Sequence, residues 1–264
     1  MHPILIKLGP LTLHSYGVLL AAAVLLGTWL ASHRARKAGL DADKVWNLCI
    51  YIVLAALLVA KIWLILSDFA FYRQNPRELF SLATLQSGGV FYGGFLGGLA
   101  VAVWGAWKWK LPAMRLLDVL SPSLMLGAAI GRLGCYCAGC CYGRPAAVPW
   151  AIVFTDEYAN RMFGTPLGVE LHPTQLYNFV AAALIFVFLL WLAARRKFDG
   201  QVFAAMLVLY GATRYVTEIY RGDPGRALGF TTALSQAQLT GIILVAAGAF
   251  LWWRGARKAA GGRQ

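Results

Sequence analysis

Seven long apolar runs constrain this chain more than any other feature of its sequence. A helix needs about 20 residues to cross a hydrocarbon core ~30 Å thick, and these runs have or approach that length. With 59% hydrophobic and only 13% charged residues, the chain is more apolar than a soluble globule. The sequence predicts an all-α polytopic membrane protein with seven transmembrane helices, and a single integral membrane domain over residues 1–264. The runs are Tyr16–Ser32, Trp46–Asp68, Gly89–Trp109, Leu116–Ile130, Thr174–Ala194, Val202–Ile219 and Ala233–Trp253.

The positive charges indicate which side of the membrane each end occupies. Of the 24 Lys and Arg residues, 14 lie in the connections after the first, third and fifth runs and in the C-terminal tail. Connections rich in Lys and Arg stay in the cytoplasm, so we expect an extracytoplasmic N-terminus and a cytoplasmic C-terminus. The net charge of +13 lies mostly at helix ends, which does not indicate a nucleic-acid partner. Arginines on the outer side are expected to meet anionic lipid head groups of the bilayer.

One stretch, Gly131–Pro145, concentrates unusual residues. It reads GRLGCYCAGCCYGRP, follows the fourth run directly and holds four of the five cysteines. Because glycine continues a helix poorly, we expect the fourth helix to end at Ile130. A small extracytoplasmic loop region should follow over residues 132–172, with short strands in the segment WAIVF. An arginine at a membrane edge is costly, which makes Arg132 a functional candidate.

The cysteines of this stretch form a C-x-C-x2-C-C pattern: Cys135, Cys137, Cys140 and Cys141. This is not a standard zinc spacing, and no histidine lies nearby in sequence, so no metal site is predicted. Disulfides persist outside the cytoplasm, which favours a disulfide within the loop. Buried free thiols and a redox role are the alternatives.

The sixth run carries a polar face. Tyr210, Arg214, Glu218 and Arg221 follow one another at spacings of 4, 4 and 3 residues, so they should share one side of a helix. Two arginines and a glutamate on a membrane helix indicate a cavity lining rather than a lipid contact. A purely structural Arg214–Glu218 ion pair is the alternative.

Polar side chains also lie at other predicted outer helix ends. His14 and Tyr16 lie at the start of the first run, a placement that is also typical of an interfacial belt. His172 and Gln175 lie one helical turn apart in the segment HPTQLY.

The third run begins with a glycine-rich segment, GGVFYGGFLGG. Its pairs Gly93/Gly97 and Gly94/Gly98 are two overlapping GxxxG patterns, which indicate close helix packing. Tyr92 is different, because it lies at the outer end of the run beside glycines that let a ligand approach the backbone.

Taken in order, these motifs resemble those of the bacterial prolipoprotein diacylglyceryl transferases over nearly the whole chain. The segments HPTQLY and YGxxRxxxExxR are the specific ones, and they occur in the expected order. The full set is Gly9–Pro10, His14–Gly17, residues 88–98, Gly131–Arg144, Pro149–Phe154, His172–Tyr177, and the face Tyr210, Arg214, Glu218 and Arg221 followed by Asp223.

The resemblance implies an enzyme of the bacterial cytoplasmic (inner) membrane whose active site faces the extracytoplasmic side and needs no cofactor. Such enzymes transfer the diacylglyceryl group of phosphatidylglycerol to the lipobox cysteine thiol of a preprolipoprotein signal peptide, which forms a thioether and releases glycerol phosphate. The family's catalytic arginines match Arg132 and Arg214. Its head-group and cavity residues match Tyr16, Gly143, Tyr210, Glu218 and Arg221. We expect further substrate contacts from His14, Cys135, His172 and Gln175.

Three positions depart from the family pattern and mark a divergent member. Cys135 replaces the usual asparagine, Cys140 the usual glutamate, and Tyr92 the usual histidine, a candidate general base. Three catalytic assignments stay open: Tyr92 acts as a phenolate, His172 or His14 is the base, or Tyr92 only orients substrate while the arginines lower the thiol pKa.

Other functions compete with this reading. A paralogous lipid transferase with a different acceptor is closest to it. A membrane thiol oxidoreductase built on the cysteines leaves the arginine face unexplained. A binding or transport protein for anionic lipid would use the same arginines without covalent chemistry.

Overall fold

A computed structural model of the protein describes residues 2–8, 11–81, 84, 89–223, 227–228 and 231–261. Two pieces of the predicted motifs, Gly9–Pro10 and Gly88, lie outside these residues. The helices are α1 (Ser15–Lys37), α2 (Ala42–Ser67), α3 (Phe69–Gln74), α4 (Phe91–Lys108), α5 (Ala113–Ala138), α6 (Glu157–Phe163), α7 (Thr174–Ala193), α8 (Gln201–Glu218) and α9 (Gln236–Gly261), with a 3-10 helix at Pro76–Phe80.

Within the residues that the structure describes, six short strands accompany the helices in antiparallel pairs. The strands of the predicted loop region, β3 (Ile152–Val153) and β4 (Glu170–Leu171), confirm the expectation from WAIVF. The others were not predicted: β1 (Ile4–Leu8) with β2 (Leu11–His14), and β5 (Ala227–Leu228) with β6 (Thr231–Ser235).

Every predicted apolar run coincides with a helix, which confirms a mainly helical protein with several candidate membrane spans. Within the described chain, α1, α2, α5, α7 and α9 are long and apolar enough to cross a membrane. The remaining two long helices, α4 and α8, have 18 residues each. Glycines and tryptophans reduce the hydropathy of α4, and Arg214 with Glu218 reduces that of α8.

The chain forms two compact units, Met1–Leu30 with Leu117–Gln264 and Ala31–Leu116. In the second unit, α4 packs against α2 through its glycines. A Cβ atom at Gly93 would lie 2.7 Å from the Cβ of Trp63, and one at Gly97 would lie 2.7 Å from the Cβ of Val59. Both distances are shorter than van der Waals contact, so the predicted packing role of these glycines is confirmed.

In the first unit, an apolar core joins α5, α7 and α8. Its fully buried members include Leu189 and Val202, with Met125 and Met206 nearby. Asp118 on α5 is buried beside this core, and its carboxylate accepts hydrogen bonds from the backbone N–H groups of Gly200 (2.8 Å) and Phe203 (2.9 Å). The carboxylate satisfies N–H groups that the first turn of α8 leaves without helical partners, which fixes the start of this helix.

Helix α8 is also held closely against α9. A Cβ atom at Gly211 would lie 2.6 Å from the carbonyl oxygen of Gly241, and one at Gly248 would lie 2.7 Å from that of Ala204. Only glycine permits this approach of the two backbones. The polar end of α8, which carries Arg214 and Glu218, therefore has a fixed position.

The prediction that the fourth helix ends at Ile130 is wrong. Helix α5 continues to Ala138 and carries Arg132 and Cys135 on its last turns. The glycines do not break the helix, and one of them serves helix packing. A Cβ atom at Gly134 would lie 2.9 Å from Cδ2 of Tyr16, so glycine leaves the room that this ring occupies. The helix cost of one glycine, about 1 kcal/mol relative to alanine, is too small to end a helix by itself.

We expect Gly97→Ala to destabilise the α2–α4 pair by about 1–3 kcal/mol, because the added methyl group overpacks the interface against Val59. Gly98→Ala is the matched control, since its Cβ atom would lie 3.4 Å from Cγ2 of Ile52, an ordinary contact. Thermal unfolding of both purified variants in detergent measures the difference. Equal midpoints for the two variants would contradict this account of the interface.

Candidate active site

The chain reverses direction directly after α5. Gly139 (φ +80°) and Cys141 (φ +62°) both adopt left-handed backbone conformations. Such a conformation is costly for a residue with a side chain and persists where the surroundings impose it. Here the Thr174 hydroxyl donates to the Cys141 carbonyl and the Gln175 amide donates to the Cys140 carbonyl, both at 2.8 Å.

Gly143 fits between two backbones. The N–H of Arg144 donates to the carbonyl of Tyr220 at 2.9 Å, and Gly143 forms a bridge with Arg221. A Cβ atom at Gly143 would lie 2.6 Å from the Cβ of His172 and 2.9 Å from the carbonyl oxygen of Tyr220. The segment after α5 is therefore held between the start of α7 and the end of α8. Gly143 acts through backbone packing in this structure.

The arginines of α8 and the segment after it are paired and largely buried. A guanidinium nitrogen of Arg214 lies 3.2 Å from a carboxylate oxygen of Glu218, whose side chain is 3% exposed. Arg221 binds Asp223 through two hydrogen bonds of 2.8 Å and has a 2% exposed side chain. The predicted common face holds for Tyr210, Arg214 and Glu218. Arg221 is a correction: α8 ends at Glu218, so Arg221 lies beyond the helix.

Arg132 brings a third guanidinium group to the same region. Its charge acts on Arg214 on α8, on Tyr16 on α1, and on Cys141. Arg221 and Tyr210 also act electrostatically on Arg214.

The charges of this cluster do not balance. Arg132, Arg214 and Arg221 carry three positive charges, whereas Glu218 and Asp223 carry two negative ones. Among these five side chains of the described residues one positive charge is in excess, and it lies in a partly buried setting where arginine binds phosphate strongly. A phosphodiester with a single negative charge would neutralise it.

Three of the four cysteines converge beside these arginines. The sulfur atoms of Cys135, Cys140 and Cys141 all lie within 4.8 Å of one another. All five cysteines of the chain are free thiols, so the predicted disulfide is not formed. Cys137 is not in the group, because a residue two positions from Cys135 on a helix points to a different side.

The thiols of this group are not equivalent. Hydrogen bonds from Cys135 and Cys140, with the positive charges of Arg221 and Arg132, lower the pKa of the Cys141 thiol. Hydrogen bonds with Cys135 and Cys141, together with burial, raise the pKa of the Cys140 thiol.

Tyr16 and His14 occupy different surroundings. The ring of Tyr16 packs on Gly134, and Tyr16 interacts electrostatically with all three cysteines of the group. The Nε2 atom of His14 lies 3.1 Å from the hydroxyl of Tyr158 on α6. This contact ties β2 to the loop region and gives His14 a structural partner that the sequence did not indicate.

The segment HPTQLY places its residues at the start of α7. The Nδ1 atom of His172 lies 3.1 Å from the hydroxyl of Tyr177, which accepts from Trp150 at 2.7 Å. Gln175 is fully buried. Its Oε1 atom has no hydrogen-bond partner within the part of the chain that the structure describes. A buried acceptor without a protein partner is rare and requires an explanation, such as an internal water or a ligand.

Tyr92 is the second residue of α4, in the unit Ala31–Leu116. Tyr92 is 59% exposed in the structure. A catalytic or orienting role for Tyr92 stays a prediction.

Sequence reasoning missed several residues that position the site. Thr174 and Asn178 on α7 are buried, and Asn178 accepts a hydrogen bond from Thr217 at 3.2 Å, which joins α7 to α8. Tyr158 had no sequence signal. Thr174 had one, because it lies inside HPTQLY, but its partner Cys141 is 33 residues away.

Comparison with known proteins gives one consistent result. A family profile described as prolipoprotein diacylglyceryl transferase matches residues 3–254. A phosphatidylglycerol–prolipoprotein diacylglyceryl transferase of Clostridium tetani is 33% identical over 253 residues, covering 96% of this chain and 97% of the relative. An enzyme of the same name from Polaromonas sp. is 32% identical, covering 98% of this chain and 95% of the relative. The enzyme of Clostridium perfringens whose name carries the number 2 is 30% identical, covering 92% of this chain and 91% of the relative.

The structure predicts that His172 is neutral at pH 7. Burial, and then the positive charge of Arg144, lower the pKa of its imidazole below the ordinary value. The imidazole of His172 therefore binds a proton more readily in the unfolded chain than in the folded protein. As the pH falls below about 6.5, this difference lowers the free energy of unfolding. We expect Arg144→Gln to raise the pKa of His172, measured by NMR of histidine-labelled protein with His172→Gln for assignment.

Arg195→Gln is the control for this titration, because it removes the same charge about 30 Å away along α7. Arg195 contacts Trp191 at the other end of that helix. An unchanged His172 titration in Arg144→Gln would show that Arg144 does not set this pKa.

Proposed function

The chain belongs to the prolipoprotein diacylglyceryl transferase family, and we propose that it transfers the diacylglyceryl group of phosphatidylglycerol to the lipobox cysteine of a preprolipoprotein. The thiolate sulfur of the acceptor attacks the glycerol carbon that carries the phosphate. A carbon–sulfur bond forms, the carbon–oxygen bond breaks, and its electron pair leaves on the phosphate oxygen. Glycerol phosphate is released, and the thiol proton passes to solvent.

The uncompensated positive charge of the arginine cluster carries this proposal. Arg132 comes from α5 and Arg214 from α8, so a phosphate between them would be held from two sides. The planar guanidinium group binds two phosphate oxygens and does not lose its proton. It therefore stabilises the negative charge that grows on the leaving phosphate, which is worth most in a site shielded from water.

The acceptor must ionise before it reacts. A free cysteine has a pKa of about 8.5, and a positive field lowers it. We assign part of this effect to the arginines and assign Tyr92 to orienting substrate, because a phenol is a poorer base than an imidazole at neutral pH. His172 remains the alternative base, since it is neutral near pH 7 and its Nδ1 atom already has a partner in Tyr177.

The remaining contacts follow from the placement of each residue. Tyr16 and Tyr210 lie around the arginines and are assigned to the phosphate and glycerol head group. The unpartnered Oε1 atom of Gln175 is assigned to a hydroxyl donor of substrate. Glu218 holds Arg214 in position.

We place the enzyme in the bacterial cytoplasmic membrane as a single integral domain with seven spans. The 14 positive residues of the alternate connections and the tail support a cytoplasmic C-terminus and an extracytoplasmic N-terminus. With this orientation the arginine cluster faces the extracytoplasmic side, where an exported signal peptide presents its cysteine.

Transfer by the full-length protein in phosphatidylglycerol vesicles, followed as a mass gain on a lipobox peptide, tests this function. We expect Arg132→Ala and Arg214→Gln each to lower kcat by about 100-fold or more, the usual cost of losing a charge-stabilising donor. Arg214→Gln is made together with Glu218→Gln, so that no carboxylate is left buried without its partner. Arg195→Ala, at the far end of α7, should keep full activity.

Three experimental outcomes would contradict parts of this proposal. Intact turnover in both arginine variants would contradict the phosphate assignment. Lipid binding without any mass gain would favour a lipid-binding protein or a transferase with another acceptor. A mass gain with vesicles that lack phosphatidylglycerol would contradict the proposed donor.

A further inference from the structure

The three-cysteine group has no role in the transfer reaction described above. Cys135 lies on the last turns of α5, and Cys140 with Cys141 follow the turn at Gly139. All three side chains are half-buried rather than sealed in the core. Their sulfur atoms form a triangle with sides of at most 4.8 Å.

This triangle has the dimensions of a thiolate metal site. Zinc binds sulfur at about 2.3 Å in a tetrahedral arrangement, which separates neighbouring sulfur atoms by about 3.8 Å. The observed upper limit of 4.8 Å is compatible with that spacing. Three protein ligands with a fourth open position are characteristic of catalytic rather than structural zinc.

The surroundings fit the charge of such a site. A zinc ion with three thiolates carries one negative charge, and the guanidinium group of Arg221 donates a hydrogen bond to the Cys141 sulfur. Arg221 is itself fixed by its two hydrogen bonds to Asp223. Groups behind the ligands that fix their orientation are a regular part of metal sites.

The backbone is held in the conformation that the triangle requires. Thr174 and Gln175 bind the carbonyl groups of Cys141 and Cys140. Cys141 has a left-handed φ of +62°, which is costly for a residue with a side chain and is found preferentially at functional sites. The sequence spacing argued against zinc because it does not reveal this reversal, which brings Cys135 back to Cys140 and Cys141.

We propose that Cys135, Cys140 and Cys141 bind one zinc ion whose open fourth position takes the thiol of the acceptor cysteine. This inference rests on the proposed transferase function and names the group that activates its nucleophile. A thiol that coordinates zinc loses its proton outright, so the reaction needs no histidine at position 92. The proton leaves to solvent when the thiol binds.

The transfer step that follows needs no further reactant. The zinc-bound thiolate attacks the glycerol carbon, the carbon–oxygen bond breaks, and glycerol phosphate departs between Arg132 and Arg214. The product thioether is a neutral, weaker ligand than a thiolate, so it leaves the zinc ion and frees the fourth position. Neither the zinc ion nor any sulfur atom changes oxidation state.

Metal analysis of the full-length protein, purified without a histidine tag, is the first test. We expect about one zinc ion per chain, as for a single catalytic site. Cys135→Ser and Cys141→Ser should lose it, whereas Cys137→Ser, a thiol on the same helix outside the group, should keep it. Protein that stays free of zinc after incubation with zinc, that holds copper instead, or whose zinc survives both substitutions would overturn the proposal.

Cobalt substitution tests the open position independently of turnover. A lipobox peptide should change the thiolate-to-cobalt absorption of the cobalt protein, and the same peptide with serine in place of its cysteine should not. An identical spectrum with both peptides would show that the acceptor does not bind the metal.

Turnover then separates the two proposals. Removal of zinc by a chelator should abolish transfer, and added zinc should restore it. Full transfer by the zinc-free protein would overturn the zinc site and leave the transferase function intact. A zinc-loaded protein that binds the thiol peptide but transfers nothing would instead contradict the transferase function.

Discussion

The central constraint on this structure is that it holds three arginine side chains in a largely buried region. A buried charge is tolerated only when it is paired and hydrogen-bonded, and here Glu218 and Asp223 pair with Arg214 and Arg221. The pairing is incomplete because Arg132 adds a further charge. A protein under selection for stability alone has little reason to keep such an excess, whereas an enzyme that binds a phosphodiester needs it.

The rest of the first unit holds these charges in position. Asp118 fixes the start of α8, glycine contacts fix α8 against α9, and Thr217 joins α8 to α7. The segment after α5 is then clamped between α7 and α8 by backbone hydrogen bonds. These contacts place the arginine cluster and the cysteine group side by side, which supports the proposed transfer from a phospholipid to a sulfur atom.

Local patterns in the sequence were sufficient to predict the helices and part of the site. Apolar runs located every long helix, and the four-residue spacing of Arg214 and Glu218 predicted their contact. The end of α5 was not predictable from glycine content, because the contact between Gly134 and Tyr16 joins residues far apart in the chain. The cysteine triangle likewise depends on a left-handed residue, Cys141, whose type gives no sign of that conformation.

The most direct measurement is a cryo-EM structure of the full-length protein in nanodiscs that contain phosphatidylglycerol. The account predicts phosphate density between Arg132 and Arg214, within hydrogen-bond distance of both guanidinium groups, with the glycerol carbon directed towards the cysteine group. A lipid phosphate bound elsewhere, with neither guanidinium group in contact with it, would contradict the central claim.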